Sequence, residues 1–286
     1  MNFACPVCHG PLLVSEDQTC LRCELGHSFD RARQGYWNLL LPQRKRSRDP
    51  GDSAEMIQAR RRFLDAGYYW LIAEQVGQLL IDRLGQDSSP RILDLACGEG
   101  YYTAQIEEAL NGAGLTPELI GLDISKPAIR AACKRSQQVE WLVATGADIP
   151  VPAGSLDAIT LMFSRIMAQP MARALKPGGL LLVVWPGAEH LIELREAIYD
   201  QVRKRELSPA EALSPWFEPL HEEKLSFDFE VSSADGLSDL LAMTPHGQRI
   251  RAQAREALLE RGQLDCHADI RIGIFQRSVE PAALPE

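Results

Sequence analysis

A chain of 286 residues, 45% hydrophobic and 24% charged, is long enough for one large domain or for a domain with a small module beside it. No apolar run reaches the roughly 18–20 residues that span a bilayer, and Met1-Asn2-Phe3-Ala4-Cys5-Pro6 lacks a basic-then-apolar leader, so a membrane partner is excluded and a cytoplasmic location is expected. The net charge of −9 argues against a wholly electrostatic RNA binder, yet residues 31–62 hold nine Arg and Lys against three acids, a net of +6 that leaves −15 on the remainder. Such a basic stripe on an acidic protein can meet phosphate or can simply be a solvated linker.

Four of the seven cysteines fall in the first 23 residues: Cys5, Cys8, Cys20 and Cys23. In a reducing compartment that clustering favours metal over disulfides. Thiolates two residues apart in a tight turn can point at one tetrahedral zinc, and two such turns make a zinc ribbon, which needs its metal because so short a module has little core. His27 makes five candidates for four places. The set Cys5, Cys8, Cys20 and Cys23 has paired C-x2-C spacing; the set Cys5, Cys8, Cys23 and His27 has C-x2-C followed by C-x3-H. Spacing alone slightly favours the four cysteines. Cys97, Cys133 and Cys266 read as small core residues. The aromatics of Phe29-Asp30 and of the Gly35 to Leu41 run close the module over its metal, giving a first unit of residues 1–42.

Residues 43–85 read as a basic loop and connecting helices. Arg44, Lys45, Arg46 and Arg48, with Arg60 and Arg61 in the helix that follows, are the candidates for gripping RNA. That helix starts near Ser53, with Asp52 and Glu55 spaced like a capping box and Gly67 as its stop. A second helix runs from about Trp70 to Leu84. From residue 86 to 286, strands are expected near 91–96, 118–123, 139–144, 156–163 and 179–185, and helices near 101–111, 125–136 and 166–176. The alternation means a parallel sheet covered on both faces. Ala268, Ile270, Ile272 and Ile274 alternate with polar residues as a further strand, the seventh and antiparallel.

The most informative stretch is Arg91 to Thr103. An apolar strand enters the turn Ala96-Cys97-Gly98-Glu99-Gly100, and a second strand ends at Asp123. Gly98 and Gly100 let the backbone turn tightly and approach a ligand, and a carboxylate at a strand tip can accept both hydroxyls of a ribose. A dinucleotide site needs a third glycine where Thr103 stands, and Asp94 and Glu99 would repel pyrophosphate. Negative charge suits a cationic ligand. The pattern Asp-x-x-Cys-Gly-Glu-Gly with a later Asp resembles motif I and the second-strand acid of class I methyltransferases, with Ala96 replacing the family's first glycine; Lys176-Pro177-Gly178-Gly179 resembles a turn common in the same class. The resemblance implies S-adenosylmethionine as cofactor and a Rossmann-like, seven-stranded α/β fold beside the zinc-binding module. The fold class also implies adenine contact near Asp148.

The zinc module, Lys45 to Met56 and Phe63 to Tyr69 occur together ahead of the cofactor motif, and this combination resembles the RlmA/RrmA family of bacterial 23S rRNA guanine-N1 methyltransferases over most of the chain. The resemblance implies Cys5, Cys8, Cys23 and His27 as zinc ligands, with Cys20 a bystander, and carries cofactor contacts to Tyr69, Gly98, Glu99, Asp123 and His190. It implies the hairpin loop of helix 35 as substrate, with nucleotide 745 expected and 748 the sister specificity, and a homodimer whose zinc modules frame an RNA cleft. Met162-Phe163-Ser164-Arg165-Ile166 departs from the family, which usually has proline where Arg165 stands.

Guanine N1 carries a proton that must leave before or during transfer. Asp94, Glu99 and His190 are the candidate bases, although none is marked as such by the sequence. Two other readings compete: a methyltransferase of the same fold acting on a protein or small molecule, and a zinc-dependent RNA-binding assembly factor with a vestigial cofactor site.

Overall fold

The structure, a computed structural model, describes residues 2–45, 47, 50–85, 88–199, 201–202, 204, 206–247 and 250–279. Four short strands form the N-terminal sheet: β1 (Phe3–Ala4), β2 (Pro11–Val14), β3 (Cys20–Arg22) and β4 (Ser28–Asp30), paired antiparallel in that order. β5 (Trp37–Asn38) leaves this module and joins the main sheet, pairing parallel with the strand at 140–143. Trp37, among the aromatics expected to close the metal site, adds an edge strand to the main sheet.

Two helices follow, α1 (Ala54–Asp65) and α2 (Trp70–Leu84). The N-cap of α1 is Ser53, whose side chain accepts from the Met56 amide. The expected Asp52–Glu55 capping box does not form, because Asp52 is drawn to Arg60 at 2.5 Å. The alternation that comes next is β6 (Arg91–Leu95), α3 (Tyr101–Gly112), β7 (Glu118–Asp123), α4 (Lys126–Ala132), β8 (Glu140–Val143), β9 (Leu156–Met162), α5 (Ala168–Ala174) and β10 (Leu175–Pro186). The chain then adds α6 (Ile192–Ile198), α7 (Ala210–Leu213), β11 (Phe217–Val231), α8 (Ala234–Met243), α9 (Ala252–Arg261) and β12 (Leu264–Arg277).

The large sheet has the order β11-β12-β10-β9-β6-β7-β8-β5. Six strands are parallel, and β12 runs antiparallel between β10 and β11. The expected seven strands are therefore present, and β5 makes an eighth. Strand order reverses between β6 and β9, so a crevice opens at the carboxyl ends of the strands there.

Side chains alternate across the sheet as the pleat requires. Ile92 faces a core shared with Phe63, Ile72, Val76 and Ile106 of α1, α2 and α3. Leu93 and Leu95 face the opposite core, shared with Met171 and with Phe3, Leu12 and Leu21 of the N-terminal module. That module therefore covers one face of the sheet. The Ala4 amide donates to the Pro150 carbonyl at 3.0 Å, and Trp37 Nε1 donates to Glu140. α8 packs on α1, where Arg62 forks onto Asp239 with bonds of 2.8 and 2.5 Å. Among the described residues no helix is long and apolar enough to cross a membrane.

Candidate functional site

The turn after β6 is built from left-handed backbone. Ala96, Gly98 and Gly100 have φ of 60°, 59° and 82°. Ala96 holds a conformation that costs an L-residue roughly 1–2 kcal/mol, at the position where methyltransferases carry glycine. Gly100 is required twice, by its φ and by the Trp141 ring, which lies 2.7 Å from where a Cβ would stand. The turn is fastened to β7: the Gly98 amide donates to Asp123 Oδ2 at 3.0 Å, and the Ser125 amide donates to Oδ1 at 2.7 Å. Asp123 is thereby fixed at its strand tip, and burial raises its pKa above the ordinary carboxylate value against those two amides.

Asp94 is 1% exposed. Thr103 and Thr160 donate to its two oxygens at 2.5 and 3.0 Å, yet burial still lifts its pKa to about 6. Glu99 is equally buried. Its Oε2 takes the Arg135 Nε at 2.5 Å, Arg135 also pairs with Asp65 at 2.8 Å, and Glu99 Oε1 has no partner.

Across the crevice, the Tyr69 hydroxyl lies 3.2 Å from His190 Nε2, while His190 Nδ1 is buried without a partner. Burial pushes the His190 pKa down to about 4, so the ring is neutral at pH 7. β12 positions the His190 turn: the Gly187 amide donates to the Asp269 carbonyl, and the Glu189 amide donates to Asp269 Oδ2 at 3.1 Å. A Cβ on Gly187 would lie 2.3 Å from that carboxylate.

These groups surround one cavity of about 950 Å³. Tyr69, Asp94, Gly98, Glu99, Asp123 and His190 all line it. Gly100 does not, and acts through the turn. Asp148 does not either: its carboxylate pairs with Arg44 at 2.8 Å, and Thr145 and Gly146 occupy the wall after β8 instead. Arg60, read from sequence as an RNA contact, also lines the cavity. It pairs with Asp52, and its guanidinium lies over the Gly98 turn, so it faces the ligand site as part of the wall. Arg61 pairs with Asp65 at 3.5 Å, and Lys45 is exposed. Arg46 and Arg48 lie outside the described residues.

The N-terminal cluster is compact. One ligand atom each from Cys5, Cys8, Cys23 and His27 lies within 4.8 Å of the others. Cys8 Sγ and Cys23 Sγ are 3.6 Å apart, and His27 Nδ1 is 3.6 Å from Cys5 Sγ and 3.3 Å from Cys23 Sγ. Bonds to zinc of about 2.0–2.3 Å imply tetrahedral edges of roughly 3.3–3.8 Å, so the donor set fits that ion. Cys20, favoured slightly by spacing, turns away from the cluster to the Ser28 hydroxyl at 2.9 Å.

Comparison with known proteins adds the family. Residues 3–48 match the family described as "RlmA, N-terminal", and residues 92–179 match "Methyltransferase domain". A 23S rRNA (guanine(748)-N(1))-methyltransferase of Streptomyces fradiae is 36% identical over 244 residues, 84% of each chain. Proteins of Micromonospora griseorubida and Bacillus subtilis, provisionally named as 23S rRNA guanine-N1 methyltransferases, are each 31% identical, over 90% and 74% of this chain and 92% and 73% of their own. The fold is that of an S-adenosylmethionine-dependent methyltransferase, and it carries a zinc ribbon. With relatives at this identity over most of its length, the chain belongs to the family of 23S rRNA (guanine-N1)-methyltransferases.

Proposed function

We propose that this protein transfers the methyl group of S-adenosylmethionine to N1 of a guanine in the helix 35 hairpin loop of 23S rRNA. The observation that carries the reading is the pairing, in one chain, of the four-ligand N-terminal cluster with an acidic cofactor cavity, in a family named for this reaction. The sequence-based expectation is nucleotide 745; the Streptomyces fradiae relative, named for guanine 748, favours 748. A helix 35 hairpin transcript separates them: methylation is expected to vanish when the guanine at one of the two positions is replaced by adenine and to persist when the other is replaced. Transfer that survives both replacements would contradict the site.

In this reading Asp123 holds the ribose, and Asp94 and Glu99 supply negative potential toward the sulfonium. Gly98 and Gly100 shape the turn, and Tyr69 and His190 border the methionine end. Cys5, Cys8, Cys23 and His27 hold zinc in a module of residues 1–42. Residues 43–85 connect it to the methyltransferase domain of 86–286, and Arg44 and Lys45 meet the RNA. The protein works as a homodimer in the cytoplasm. In this reading the N1 proton need not pass to any of the three candidate bases. Asp94 is capped by two hydroxyls, Glu99 is tied to Arg135, and His190 binds a proton only in acid. Acceleration then comes chiefly from holding N1 in line with the methyl group.

Asp94 couples cofactor affinity to stability. Its folded pKa is raised to about 6 from 3.8, so its ionisation costs stability that is intact below about pH 4 and lost as pH rises to about 6. At about 1.4 kcal/mol per unit, the cost is about 3 kcal/mol. Asp94→Asn is expected to flatten the wild-type decline over that window in urea titrations. It should also weaken S-adenosylmethionine binding by about 10-fold, because one negative charge near the sulfonium is gone. A variant with an unchanged pH slope would contradict this assignment.

A further inference from the structure

The turn that carries Gly98, Glu99 and Gly100 is held from both ends of one short helix. α4 begins at Ser125, whose amide donates to Asp123 and whose hydroxyl oxygen caps the helix by accepting from the Ala128 amide. At the last residue of α4, the Ala132 Cβ lies 3.0 Å from where a Cβ on Gly100 would stand, so the turn rests directly on the helix. Just beyond, the Arg135 amide donates to the Ala132 carbonyl at 2.8 Å, and the side chain reaches back to the turn. Arg135 Nε donates to the Glu99 carbonyl at 3.2 Å and to the Glu99 carboxylate at 2.5 Å, and its guanidinium lies 5.5 Å from the centroid of the Tyr101 ring.

Glu99 is a carboxylate whose charge burial opposes. Desolvation raises its pKa above the ordinary value, and Arg135 pulls it back down through the hydrogen bond and through its charge. The other groups that face it come from several elements. Arg61 and Asp65 of α1 act in opposite directions, the first favouring the ionised form and the second the neutral one. Tyr101 and Tyr102 of α3 and Cys97 of the turn each feel the Glu99 charge, and burial raises all three pKa values. Asp94 and Asp123 stand at the neighbouring strand tips, and Arg60 lies over Gly98. Asp65 anchors Arg135 at 2.8 Å and is itself held by Arg61 at 3.5 Å. Arg135 lies outside the cavity lining, whereas Glu99 is part of it.

We propose that Arg135 is a positioning residue of the cofactor site: it fixes Glu99 against the turn, keeps that carboxylate negatively charged, and so sets the affinity for a cationic cofactor from outside the cavity. The inference rests on the reading that Glu99 supplies negative potential toward the sulfonium of S-adenosylmethionine. A buried carboxylate stripped of its cation takes up a proton rather than remain an unpaired charge. Neutral Glu99 no longer attracts the sulfonium, so cofactor affinity then depends on pH. A side chain that only braced the turn would weaken binding equally at every pH.

The test is calorimetry of the full-length protein with S-adenosylmethionine at pH 6 and at pH 8. Each variant is compared with the wild type at the same pH, so that the titration of Asp94 near pH 6 is common to both. The affinity lost in Arg135→Gln is expected to be about 10-fold larger at pH 6 than at pH 8, the weight of one charge near the sulfonium. Arg135→Lys keeps the cation and is expected to stay within about threefold of the wild type at both pH values. In a Glu99→Gln background, adding Arg135→Gln is expected to bring no further pH-dependent loss. No loss in Arg135→Gln, a loss equal at the two pH values, or the same pH dependence with Glu99 already replaced would overturn the proposal. A wild-type protein that binds no S-adenosylmethionine at either pH would contradict the cofactor reading instead.

Discussion

Asp123→Ala is expected to lower S-adenosylmethionine affinity by about 100-fold or more. Two effects act together. The carboxylate that would hold the ribose hydroxyls is removed, and the Gly98 and Ser125 amides that now donate to it at 3.0 and 2.7 Å lose their acceptor. Each buried amide left unpaired costs about 1–3 kcal/mol, and about 1.4 kcal/mol is tenfold in affinity. The Gly98 amide matters most, because its bond to Asp123 ties the turn after β6 to the tip of β7. Asp123→Asn keeps one acceptor and should fall between the wild type and the alanine variant. Calorimetry reads the result directly; an alanine variant within fivefold of the wild type would contradict the role given to this carboxylate.

Cys23→Ser is expected to empty the metal site and unfold the N-terminal module. Structural zinc contributes about 10–16 kcal/mol in zinc-finger peptides, more than strands of two to four residues can replace. The module shares its core with the main sheet, Phe3, Leu12 and Leu21 packing in one cluster with Leu93 and Leu142, so the melting temperature should fall as well. The cofactor cavity is built from β6, β7, β9, α1 and the His190 turn, and S-adenosylmethionine affinity should stay within about threefold. Affinity for 23S rRNA should fall about 10-fold or more, since zinc module and basic loop would be freed together. Cys20→Ser is the control: its sulfur faces Ser28, and zinc content should remain one per chain by elemental analysis. A Cys23→Ser protein with full zinc, or with unchanged hydrogen-exchange protection over residues 3–30, would contradict this account.

What the sequence made legible follows from how local each signal is. The Ala96 to Gly100 turn and the Asp123 tip are written in consecutive residues, because glycine spacing and strand periodicity are backbone requirements. The zinc ligands were ambiguous for a physical reason: C-x2-C spacing allows Cys20 as well as His27, and only the pairing of β3 with β4 decides which faces the cluster. Arg60 and Arg61 read as part of a basic stripe, yet their partners Asp52 and Asp65 are set by the fold of α1 and the loop before it. Net charge along a segment does not show which cations are already paired. The expectation for Asp148 comes from the fold class alone, and its pairing with Arg44 across 104 residues is invisible in sequence.

The region between β10 and β12 is the least legible in sequence. The alternation of Leu225, Phe227, Phe229 and Val231 with Ser226, Asp228 and Glu230 is a strand signal of period two, and β11 pairs with β12 along it. α8 carries a capping residue, Ser233, whose side chain accepts from the Gly236 amide. Its consequence for function could not be read, because Thr244 and His246 reach the cavity only once α8 has packed on α1. The left-handed backbone at Phe163, with φ of 51°, was equally hidden: the loop there departs from the family pattern, and no residue type in it announces a positive φ.

The most direct test of the central claim is methyl transfer from labelled S-adenosylmethionine to unmodified 23S rRNA, with the product nucleotide mapped by mass spectrometry. The expected product is 1-methylguanine in the helix 35 hairpin loop. A preparation that holds zinc and binds the cofactor, yet leaves every guanine N1 of that RNA unmethylated, would contradict it.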